Sequence, residues 1–397
     1  MAEVNVLSVS TVFPNPAEEN LGLFVRNRLQ HLAALLPVRV VAPVAVIDYA
    51  ARKLTNGTIP AHRRDDALEV DYPRWFYPPL GNAANAIFLA VRLLPYLGRL
   101  RREYPFQLID AHFGYPEGIA AAVVGAAVGC PFTITLRGNE TMHAASSLKR
   151  RLMSWSVRRA ARVIAVSESL RDFALELGAD AARLRTIPNG IDSSIFFPRP
   201  QREARQRLGI PADVPVILSA GYLIERKGHH RVIEALAELR HSGCKAELWI
   251  MGGPGREGSF AQEIEAAVQR HGLESAVHFA GVVKPPLLAD YMAAADVFCL
   301  ASSREGWPNV VHEALGCGVP VVVTNVGGAR DMVPSDDYGL VVPVGDPAVL
   351  RAALAKALHA GWDHARIAAW GQQRSWTKVA AETASVLREA AAEGKGN

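Results

Sequence analysis

The chain has 397 residues, of which 50% are apolar and 21% are charged, a composition typical of soluble globular proteins. At roughly 150 residues per domain this length predicts two domains, and the formal net charge at pH 7 is +4. The four cysteines form no C-x-x-C pair, so neither a zinc knuckle nor a disulfide framework is supported, and a reducing cytosol is favoured.

The N-terminal segment enters a strand pattern directly at Val4–Ser10, without a charged start followed by an apolar signal core. The longest weakly polar run, Gly118–Cys130, is too short for the roughly 20 residues that span a bilayer. We therefore expect a cytoplasmic protein, and attachment to the cytoplasmic face of a membrane stays open.

Short apolar runs alternate with helical patterns along the first half of the chain. The predicted strands are Val4–Ser10, Arg39–Pro43, Leu108–His112, Thr133–Leu136, Arg162–Val166 and Arg185–Ile187. The predicted helices between them include Leu23–Leu36, Glu117–Val128 and Glu168–Leu177. Short apolar strands that alternate with helices indicate a parallel sheet covered on both faces.

The same alternation restarts after Pro198-Arg199-Pro200. The predicted strands there are Val216–Ala220, Ala246–Met251, Val277–Ala280, Val297–Leu300, Val319–Val323 and Leu340–Pro343, with helices such as His229–Arg240 and Phe260–His271 between them. The fold class is therefore α/β, with two doubly wound domains hinged near Phe197–Gln201. A dinucleotide fold would carry G-x-G-x-x-G after the first strand, where this chain has only Gly22, so a dehydrogenase is disfavoured.

The basic excess belongs to the first half. Residues 1–198 carry 22 Lys and Arg against 17 Asp and Glu, whereas the remainder carries 21 against 22. Much of this excess lies within Lys149–Arg162, in a stretch where no acid occurs between Glu140 and Glu168. The segment is either an ordinary solvated helix face or a contact for an anionic lipid or acceptor phosphate. A second candidate for such a contact is the segment Ile87–Arg102, which is apolar with interleaved arginines, but a core-packed helix is the favoured interpretation.

A loop and the helix after it carry two carboxylates in the second half. Glu305 follows the strand that ends at Ala301, and Pro308 suits a first helical position because its missing N–H would be unpaired there. Glu313 lies along the helix, which is predicted to run to about Leu315. Carboxylates accept hydrogen bonds from sugar hydroxyls, and helix N-terminal amides bind phosphate, so the segment suits a nucleotide-sugar. An ordinary helix with an exposed Glu313 explains the same spacing.

Two adjacent cations stand at the exit of the first strand of the second domain. Arg226 and Lys227 precede a helix predicted to begin near Gly228. A guanidinium fork and an ammonium point charge could together hold a diphosphate and the charge that develops on it as a leaving group. An Arg-Lys pair in a loop is also commonplace, so this pair alone does not define a site.

These segments together carry a family resemblance. Three segments resemble the donor-binding half of glycosyltransferase family 4: E-R-K-G at Glu225–Gly228, A-G-V-V at Ala280–Val283, and the run from Ala293 to Gly328 that contains the E-x7-E pair Glu305 and Glu313. I-P-N-G-I-D, Ile187–Asp192, resembles the segment that closes the first domain of that family.

The resemblance implies the GT-B fold, with two Rossmann-like domains that face each other across a cleft. It assigns residues 1–198 to an acceptor-side domain and residues 199–373 to a domain that binds the nucleotide-sugar donor. It also implies that the C-terminal helix, within residues 374–397, crosses back onto the first domain.

The resemblance further assigns roles to single residues of the second domain. Arg226 and Lys227 would bind the diphosphate and act in catalysis with Glu305, while Glu313 would accept hydrogen bonds from the ribose hydroxyls. The backbone around Val283 would flank the base. Further donor contacts are implied for Gly221, Gly306, Trp307, Asn309 and Val310.

The first domain matches the family pattern less closely. His112 ends a strand where the family usually has a histidine that faces the donor sugar, although a histidine bonded inside the sheet edge fits the sequence equally well. Arg137 stands where many relatives have a histidine. The glycine pair often found in the first loop is reduced here to Gly22, and a single glycine still lets a helix N-terminus approach a phosphate.

The chain contains no D-x-D motif and no metal-type cluster of His, Asp and Glu, so we expect that neither a metal nor another cofactor is required. The family retains the anomeric configuration. No residue is a clear candidate for a nucleophile on the far face of the anomeric carbon, which favours front-face transfer in which the donor phosphate accepts the acceptor's proton.

We therefore predict a retaining transferase that moves a hexosyl unit from a nucleotide-sugar, with UDP favoured over GDP. The expected acceptor is a glycan or a polyprenyl-linked glycan in cell-surface polysaccharide synthesis, and no nucleic acid partner is expected. An epimerase of the same fold and a non-catalytic nucleotide-sugar-binding module are the alternatives. A phosphorylase-like enzyme would need pyridoxal phosphate.

Overall fold

The computed structural model describes residues 4–46, 59–78, 82–255 and 258–393. By their internal contacts these residues belong to two units, Met1–Asn189 with Trp376–Asn397, and Gly190–Ser375. The hinge predicted near Phe197–Gln201 thus lies inside the second unit.

The first unit is built on a sheet whose described strands run in the order β10-β9-β8-β7-β1-β2-β5-β4. The strands are β1 (Val6–Val9), β2 (Val38–Val41), β4 (His62–Asp65), β5 (Leu68–Asp71), β7 (Leu108–His112), β8 (Phe132–Leu136), β9 (Arg162–Ala165) and β10 (Leu184–Thr186). A separate two-stranded pair joins β3 (Val44–Ala45) to β6 (Arg74–Trp75). Every residue of β1, β7, β8 and β9 is buried, as expected for parallel strands covered by helices on both faces.

One edge of this sheet departs from the sequence prediction. Strand β4 pairs with β5 antiparallel, so the sheet is mixed and not purely parallel. The four residues of β4, H-R-R-D, are mostly exposed and lack the apolar signal that identified the other strands. The turn at Asp66, with φ of 52°, closes this hairpin at the edge of the sheet.

Helices cover the first sheet. They are α1 (Leu23–Ala33), α2 (Asn85–Glu103), α3 (Ile119–Val128), α4 (Asn139–His143), α5 (Ser147–Val157), α6 (Glu168–Glu176) and the C-terminal α15 (Trp376–Glu393). Ala380, Ala384 and Leu387 of α15 pack into the same core as Val25 and Leu29 of α1. The last helix of the chain is therefore part of the first unit.

The second unit has one parallel sheet in the order β13-β12-β11-β14-β15-β16. Its strands are β11 (Val216–Ala220), β12 (Glu247–Met251), β13 (Val277–Gly281), β14 (Val297–Leu300), β15 (Val321–Thr324) and β16 (Gly339–Val342). Its helices are α7 (Gln201–Leu208), α8 (His229–His241), α9 (Ala261–Arg270), α10 (Pro285–Ala294), α11 (Asn309–Gly316), α12 (Ala329–Met332), α13 (Pro347–His359) and α14 (His364–Gly371). The strand order reverses between β11 and β14, and ligands of such sheets bind beyond the carboxyl ends of the strands at that point.

None of the helices within the described ranges is long and apolar enough to cross a membrane.

Candidate functional site

The loops that leave β11 and β14 meet at the point where the strand order reverses. A short 3-10 turn, Glu225–Lys227, follows β11, and its Arg226 carbonyl accepts a hydrogen bond from the amide of Ser303 at 2.8 Å. Gly228 then adopts φ of 74° and is the N-cap of α8. A Cβ on Gly228 would lie 2.0 Å from the carbonyl oxygen of Ala301, so only glycine allows the two loops to approach this closely.

This approach brings three charged side chains together. The Lys227 Nζ lies 2.6 Å from Oε1 of Glu305, which also accepts a hydrogen bond from the Ser302 hydroxyl at 2.8 Å. The Arg226 Nη1 lies 3.8 Å from Oε2 of the same carboxylate. The side chains of Lys227 and Glu305 are 12% and 8% exposed, so the contact is shielded from bulk water.

The environment keeps Glu305 ionised. Burial by itself would raise the pKa of this carboxyl, but the charges of Lys227 and Arg226 and the hydrogen bonds from Lys227 and Ser302 outweigh it, so the pKa lies below its ordinary value. The ionised Glu305 carboxylate thus lies beside the two cations Arg226 and Lys227 at the carboxyl edge of the sheet.

Helix α11 begins beside this cluster. Pro308 is its N-cap, with ψ of 91°, and the first helical residue is Asn309, one position later than the sequence predicted. Gly306 and Trp307 are buried, Asn309 and Val310 are half-buried, and the Gly306 carbonyl accepts a hydrogen bond from the Gly328 amide at 2.9 Å. The amides of the first turn precede the helical hydrogen-bond ladder and carry the positive end of the helix dipole.

Glu313 lies one turn further along α11 and is half-buried. Among the described residues its carboxylate has neither a hydrogen-bond donor nor a cation as partner, and burial raises its pKa to about 7. Since a shielded carboxylate without a partner loses solvation and gains no bond in return, a ligand that donates hydrogen bonds to Glu313 would stabilise its charged form.

The neighbouring His312 bonds α11 to the C-terminal end of α14. Its Nε2 lies 3.0 Å from the carbonyl oxygen of Gly371, so this nitrogen carries the proton and donates it. Burial lowers the pKa of His312 to about 4, and the Trp307 ring meets the imidazole edge-on at 5.7 Å. Neither His312 nor Ser302 was predicted from the sequence, because neither residue type at those positions distinguishes a positioning role from an ordinary helix or loop residue.

Glycines line the exits of β11, β12 and β13. A Cβ on Gly252 would lie 1.8 Å from the carbonyl oxygen of Gly221, and one on Gly253 would lie 2.7 Å from a methyl group of Val282. The backbone at Gly221 and the loop that contains the half-buried Val283 therefore converge at the same strand edge. Such an edge leaves room for a flat group to approach the main chain.

The first unit holds its own polar cluster around His112. The imidazole is fully buried at the end of β7; its Nε2 lies 2.9 Å from the Ser8 hydroxyl and 3.2 Å from Oδ2 of Asp110. Arg137 donates to Nδ1 from both Nε, at 3.2 Å, and Nη2, at 2.8 Å. Because Nδ1 accepts these bonds, the ring is neutral, and burial lowers the pKa of His112 to about 4.

Arg137 occupies the outer position of this cluster. Its Nη1 donates to Oδ1 of Asn189 at 3.2 Å, and its guanidinium lies 5.2 Å from the centre of the Phe24 ring in the first turn of α1. Gly22 caps that helix with φ of 67°, and a Cβ there would lie 2.3 Å from the carbonyl oxygen of Val12. The structure thus brings Arg137 and His112 into contact with each other, and it places the start of α1 beside Arg137.

The described residues contain no group of three or more His, Cys, Asp or Glu side chains with the arrangement of metal ligands.

Comparisons with known proteins define the class. The sequence profile described as Glycosyl transferases group 1 matches residues 200–374, and the profile described as Glycosyltransferase Family 4 matches residues 23–195. Together the two matches extend over most of the chain. The chain belongs to glycosyltransferase family 4, and it is an enzyme of the glycosyltransferase class.

Relatives support the same assignment. The chain is 29% identical over 366 residues to a Bacillus subtilis protein assigned to teichuronic acid biosynthesis as the glycosyltransferase TuaC, a match that covers 86% of each chain. It is 33% identical over 244 residues to a D-inositol 3-phosphate glycosyltransferase of Xylanimonas cellulosilytica, which covers 58% of this chain and 57% of that relative.

Solved structures establish the fold. Sucrose-phosphate synthase from Thermosynechococcus elongatus superposes with a TM-score of 0.73 at 23% identity, covering 99% of this chain and 98% of that one. Anabaena Alr3699/HepE, solved in complex with UDP and glucose, also gives a TM-score of 0.73, at 21% identity and with 97% and 100% covered. The protein therefore has the GT-B fold, as the sequence predicted.

Proposed function

We propose that the protein is a retaining hexosyltransferase that takes its sugar from a nucleotide-sugar, with UDP favoured over GDP, and binds that donor in the second unit. The observation that carries the proposal is the cluster of Arg226, Lys227 and Glu305 beside the start of α11. It combines cations, a shielded carboxylate and helix N-terminal amides, which are the groups that a sugar diphosphate requires.

The donor diphosphate binds Arg226 and Lys227. Both cations are only partly exposed and contact the carboxylate of Glu305. An incoming diphosphate is attracted to these cations, and the same cations stabilise it as the leaving group when its bond to the sugar breaks. In this proposal the cations and the helix dipole supply the electrophilic assistance, and the enzyme requires no metal and no cofactor.

The sugar and the nucleoside occupy the two sides of this diphosphate site. Glu305 and the amides of Gly306, Trp307, Asn309 and Val310 contact the hexosyl unit. Glu313 accepts hydrogen bonds from the two ribose hydroxyls, which supplies the partners that its carboxylate lacks among the described residues. The base lies against the glycine-lined edge at Gly221 and Val283. The UDP bound to the Anabaena structural neighbour supports the preference for UDP.

Transfer proceeds on the front face of the sugar. The acceptor hydroxyl attacks the anomeric carbon on the side that the diphosphate leaves, its proton passes to the departing phosphate oxygen, and the new glycosidic bond keeps the original configuration. Arg226 and Lys227 hold the negative charge that remains on the nucleoside diphosphate. His112 is neutral and fully buried, so in this proposal it acts by fixing Arg137, which faces the donor sugar.

The acceptor is a glycan or a lipid-linked glycan at the cytoplasmic face of a membrane, used in cell-surface polysaccharide synthesis. The relation to TuaC, which is assigned to teichuronic acid biosynthesis, supports this acceptor class. The basic excess of residues 1–198 is consistent with an acceptor that carries phosphate.

A thermal-shift panel of UDP- and GDP-sugars tests the proposal. Wild type is compared with the double variant Arg226→Ala/Lys227→Ala, and with the matched control Lys245→Ala/Arg270→Ala, which removes two exposed cations of the same unit. A donor at about 100 times its Kd stabilises the native state by roughly 2.7 kcal/mol, a clear rise in Tm. We expect a UDP-sugar to shift wild type and the control but not the Arg226/Lys227 variant.

Analysis of the donor after incubation with the enzyme, with and without acceptors, separates the alternatives. A donor that binds and is released with an altered sugar, in the absence of any acceptor, identifies an epimerase. A donor that binds and remains intact with every glycan and lipid-linked acceptor identifies a binding module. Equal shifts in wild type and the Arg226/Lys227 variant contradict the diphosphate site.

A further inference from the structure

Helix α2 (Asn85–Glu103) has an apolar face on each side. Its inner face is buried in the first unit and consists of Ala86, Leu89, Ala90, Leu93, Leu97 and Leu100. Its outer face carries four large apolar side chains that are exposed, namely Ile87, Phe88, Val91 and Leu94. The sequence predicted a core-packed helix over Ile87–Arg102, and the structure shows that only one face of the helix packs into a core.

The outer side chains form one continuous stripe. Ile87, Val91 and Leu94 are spaced by four and three residues, so they lie above one another on the helix, and Val91 is 66% exposed. Pro95 and Gly98 extend the stripe without a polar side chain and are also exposed. An exposed apolar stripe of this length on a surface helix indicates a surface that is covered in use.

Arginines and no acidic residues accompany the stripe along the sequence. Between Asp71 and Glu103 the sequence contains no acidic residue, whereas it contains five arginines: Arg74, Arg92, Arg99, Arg101 and Arg102. Arg99 and Arg102 are exposed in the last turns of α2, where the stripe ends. Apolar side chains on one face with arginines beside them are typical of helices that lie in the interface of an anionic membrane.

A pocket of about 400 Å³ adjoins the same helix. It is lined by Ile59, Ala61, Tyr72, Pro73, Arg74, Arg92 and Tyr96. Arg92 donates from Nε to the Arg74 carbonyl at 2.8 Å and lies 5.6 Å from the centre of the Tyr96 ring, which fixes its guanidinium at the pocket.

The charge of Arg92 is not neutralised locally. Within the described ranges no carboxylate forms an ion pair with Arg92, and Asp71, the acid of the adjoining strand, is bound by Arg39 and by His62, each at 2.9 Å. An arginine held against the Tyr96 ring, in a pocket of this size that Tyr72 also lines, suits the phosphate of a phospholipid headgroup.

The basic helix α5 is less suited to membrane binding than α2. Of its apolar side chains only Leu148 is largely exposed, while Met153 and Val157 are buried. Its Arg150 forms an ion pair with Glu176 at 3.2 Å, and its Lys149 lies 4.9 Å from the centre of the Tyr115 ring. Its cations are thus partly engaged, and it has no apolar stripe to insert into a bilayer.

We infer that the outer face of α2 and the adjoining Arg74–Arg92 pocket form a docking surface for a bilayer of anionic phospholipids. The stripe of Ile87, Val91 and Leu94 enters the boundary between headgroups and acyl chains, the exposed arginines stay at the level of the phosphates, and Arg92 binds one headgroup. This surface adds a membrane partner to the proposed transferase, and its test does not depend on transfer activity.

Co-sedimentation of the purified full-length protein with vesicles tests the surface. The vesicles contain phosphatidylglycerol mixed with phosphatidylcholine, or phosphatidylcholine alone. Wild type is compared with Val91→Asp and with the matched control Leu148→Asp, which places the same charge at an exposed apolar position of α5. A second pair, Arg92→Gln and Arg151→Gln, compares the pocket arginine with an exposed arginine of α5.

We expect wild type to bind the anionic vesicles and to lose this binding at high salt. Val91→Asp should weaken binding at least about tenfold, and Arg92→Gln about fivefold, while both α5 variants bind like wild type. Wild type that does not bind anionic vesicles overturns the inference. Equal losses in Leu148→Asp and Val91→Asp, or no loss in Val91→Asp, overturn it as well.

Two further measurements keep the interpretation unambiguous. If size-exclusion chromatography with light scattering shows a wild-type dimer that Val91→Asp dissociates, a second copy covers the stripe and the lipid assignment is wrong. The UDP-sugar thermal shift is measured on every variant and should match that of wild type. Loss of vesicle binding with the shift intact concerns this surface alone, whereas absence of any shift with vesicle binding intact contradicts only the proposed donor site.

Discussion

The ammonium of Lys227 lies 2.6 Å from the carboxylate of Glu305, and the two residues are separated by 78 positions in the sequence. Both stand at strand exits of the second unit, where the loops after β11 and β14 meet. Because a donor diphosphate would compete with Glu305 for the same cation, binding of the donor and release of this ion pair are coupled in the proposed site.

This coupling predicts opposite effects of Glu305→Gln on product binding and on transfer. Without the carboxylate the two cations lose their competitor, so affinity for UDP should rise at least about fivefold, since even the Coulomb energy of two charges about 4 Å apart in bulk water is roughly 1 kcal/mol. Transfer should fall at least about a hundredfold, because the proposed sugar contact is lost. Calorimetric titration with UDP and a turnover assay measure the two effects.

Glu225→Gln is the matched control, because Glu225 lies in the same loop region but forms its ion pair with Arg231. It should change neither quantity by more than about twofold, as expected for an exposed pair. If Glu305→Gln weakens UDP binding as much as Arg226→Ala/Lys227→Ala does, Glu305 supports the diphosphate site instead of competing with it.

The raised pKa of Glu313 predicts that this residue destabilises the free enzyme. Its pKa is about 7 in the folded protein and has an ordinary value in the unfolded chain, so the folded state binds the proton more tightly. The protonated side chain thus contributes stability that is complete below the unfolded pKa and is lost as the pH rises through about 7.

Glu313→Gln removes this titration. We expect the variant to match wild type near pH 5 and to exceed its free energy of unfolding by about 1–2 kcal/mol near pH 8. Urea unfolding at the two pH values measures the difference, with Glu263→Gln, an exposed acid of α9, as the pH-independent control. UDP-sugar affinity should fall in Glu313→Gln. A stability difference that does not change with pH contradicts this prediction.

The close approach of the backbone at Gly228 predicts that Gly228→Ala is more harmful to stability and donor binding than Gly209→Ala. Gly228 and Gly209 have similar φ values, 74° and 69°, but only at Gly228 would a Cβ meet the backbone, 2.0 Å from the Ala301 carbonyl oxygen. Gly209→Ala should cost about 1 kcal/mol through backbone strain alone. Gly228→Ala should cost more and abolish the UDP-sugar thermal shift, because it separates the two loops that form the site. Equal effects of the two substitutions contradict the close approach.

The sequence was sufficient for the α/β class and most strands, because buried parallel strands are continuous apolar runs that alternate with helices. The GT-B fold was implied by the resemblance to glycosyltransferase family 4. The sequence was insufficient for β4, whose H-R-R-D residues are held at the sheet edge by pairing with β5 and not by apolar burial. The sequence also predicted Pro308 as the first residue of α11, although its ψ of 91° makes it the N-cap.

The side-chain arrangement of the site was predicted only in part. The family resemblance implied that Arg226, Lys227 and Glu305 belong to one donor site, but an ion pair between residues 78 positions apart depends on how two loops pack. The contact of Arg137 with His112 is equally non-local, since it joins the ends of two neighbouring strands. Helical periodicity showed that Ile87–Arg102 is apolar, but it could not show that one face remains exposed.

Arg137→Lys tests the role of the first unit. Arg137 donates to His112 from two nitrogens and to Asn189 from a third, a planar arrangement that an ammonium cannot reproduce. Because the side chain is buried, we expect the free energy of unfolding to fall by about 2 kcal/mol.

UDP affinity should stay within about twofold of wild type, since the proposed UDP contacts lie in the second unit, whereas kcat should fall at least about tenfold because Arg137 is proposed to face the donor sugar. Arg183→Lys, which changes an exposed arginine of the same unit, is the control and should leave all three quantities unchanged. A loss of UDP affinity in Arg137→Lys as large as the loss in kcat would show that the substitution perturbs donor binding itself. A kcat equal to that of wild type would remove Arg137 from the proposed reaction and leave it a structural partner of His112.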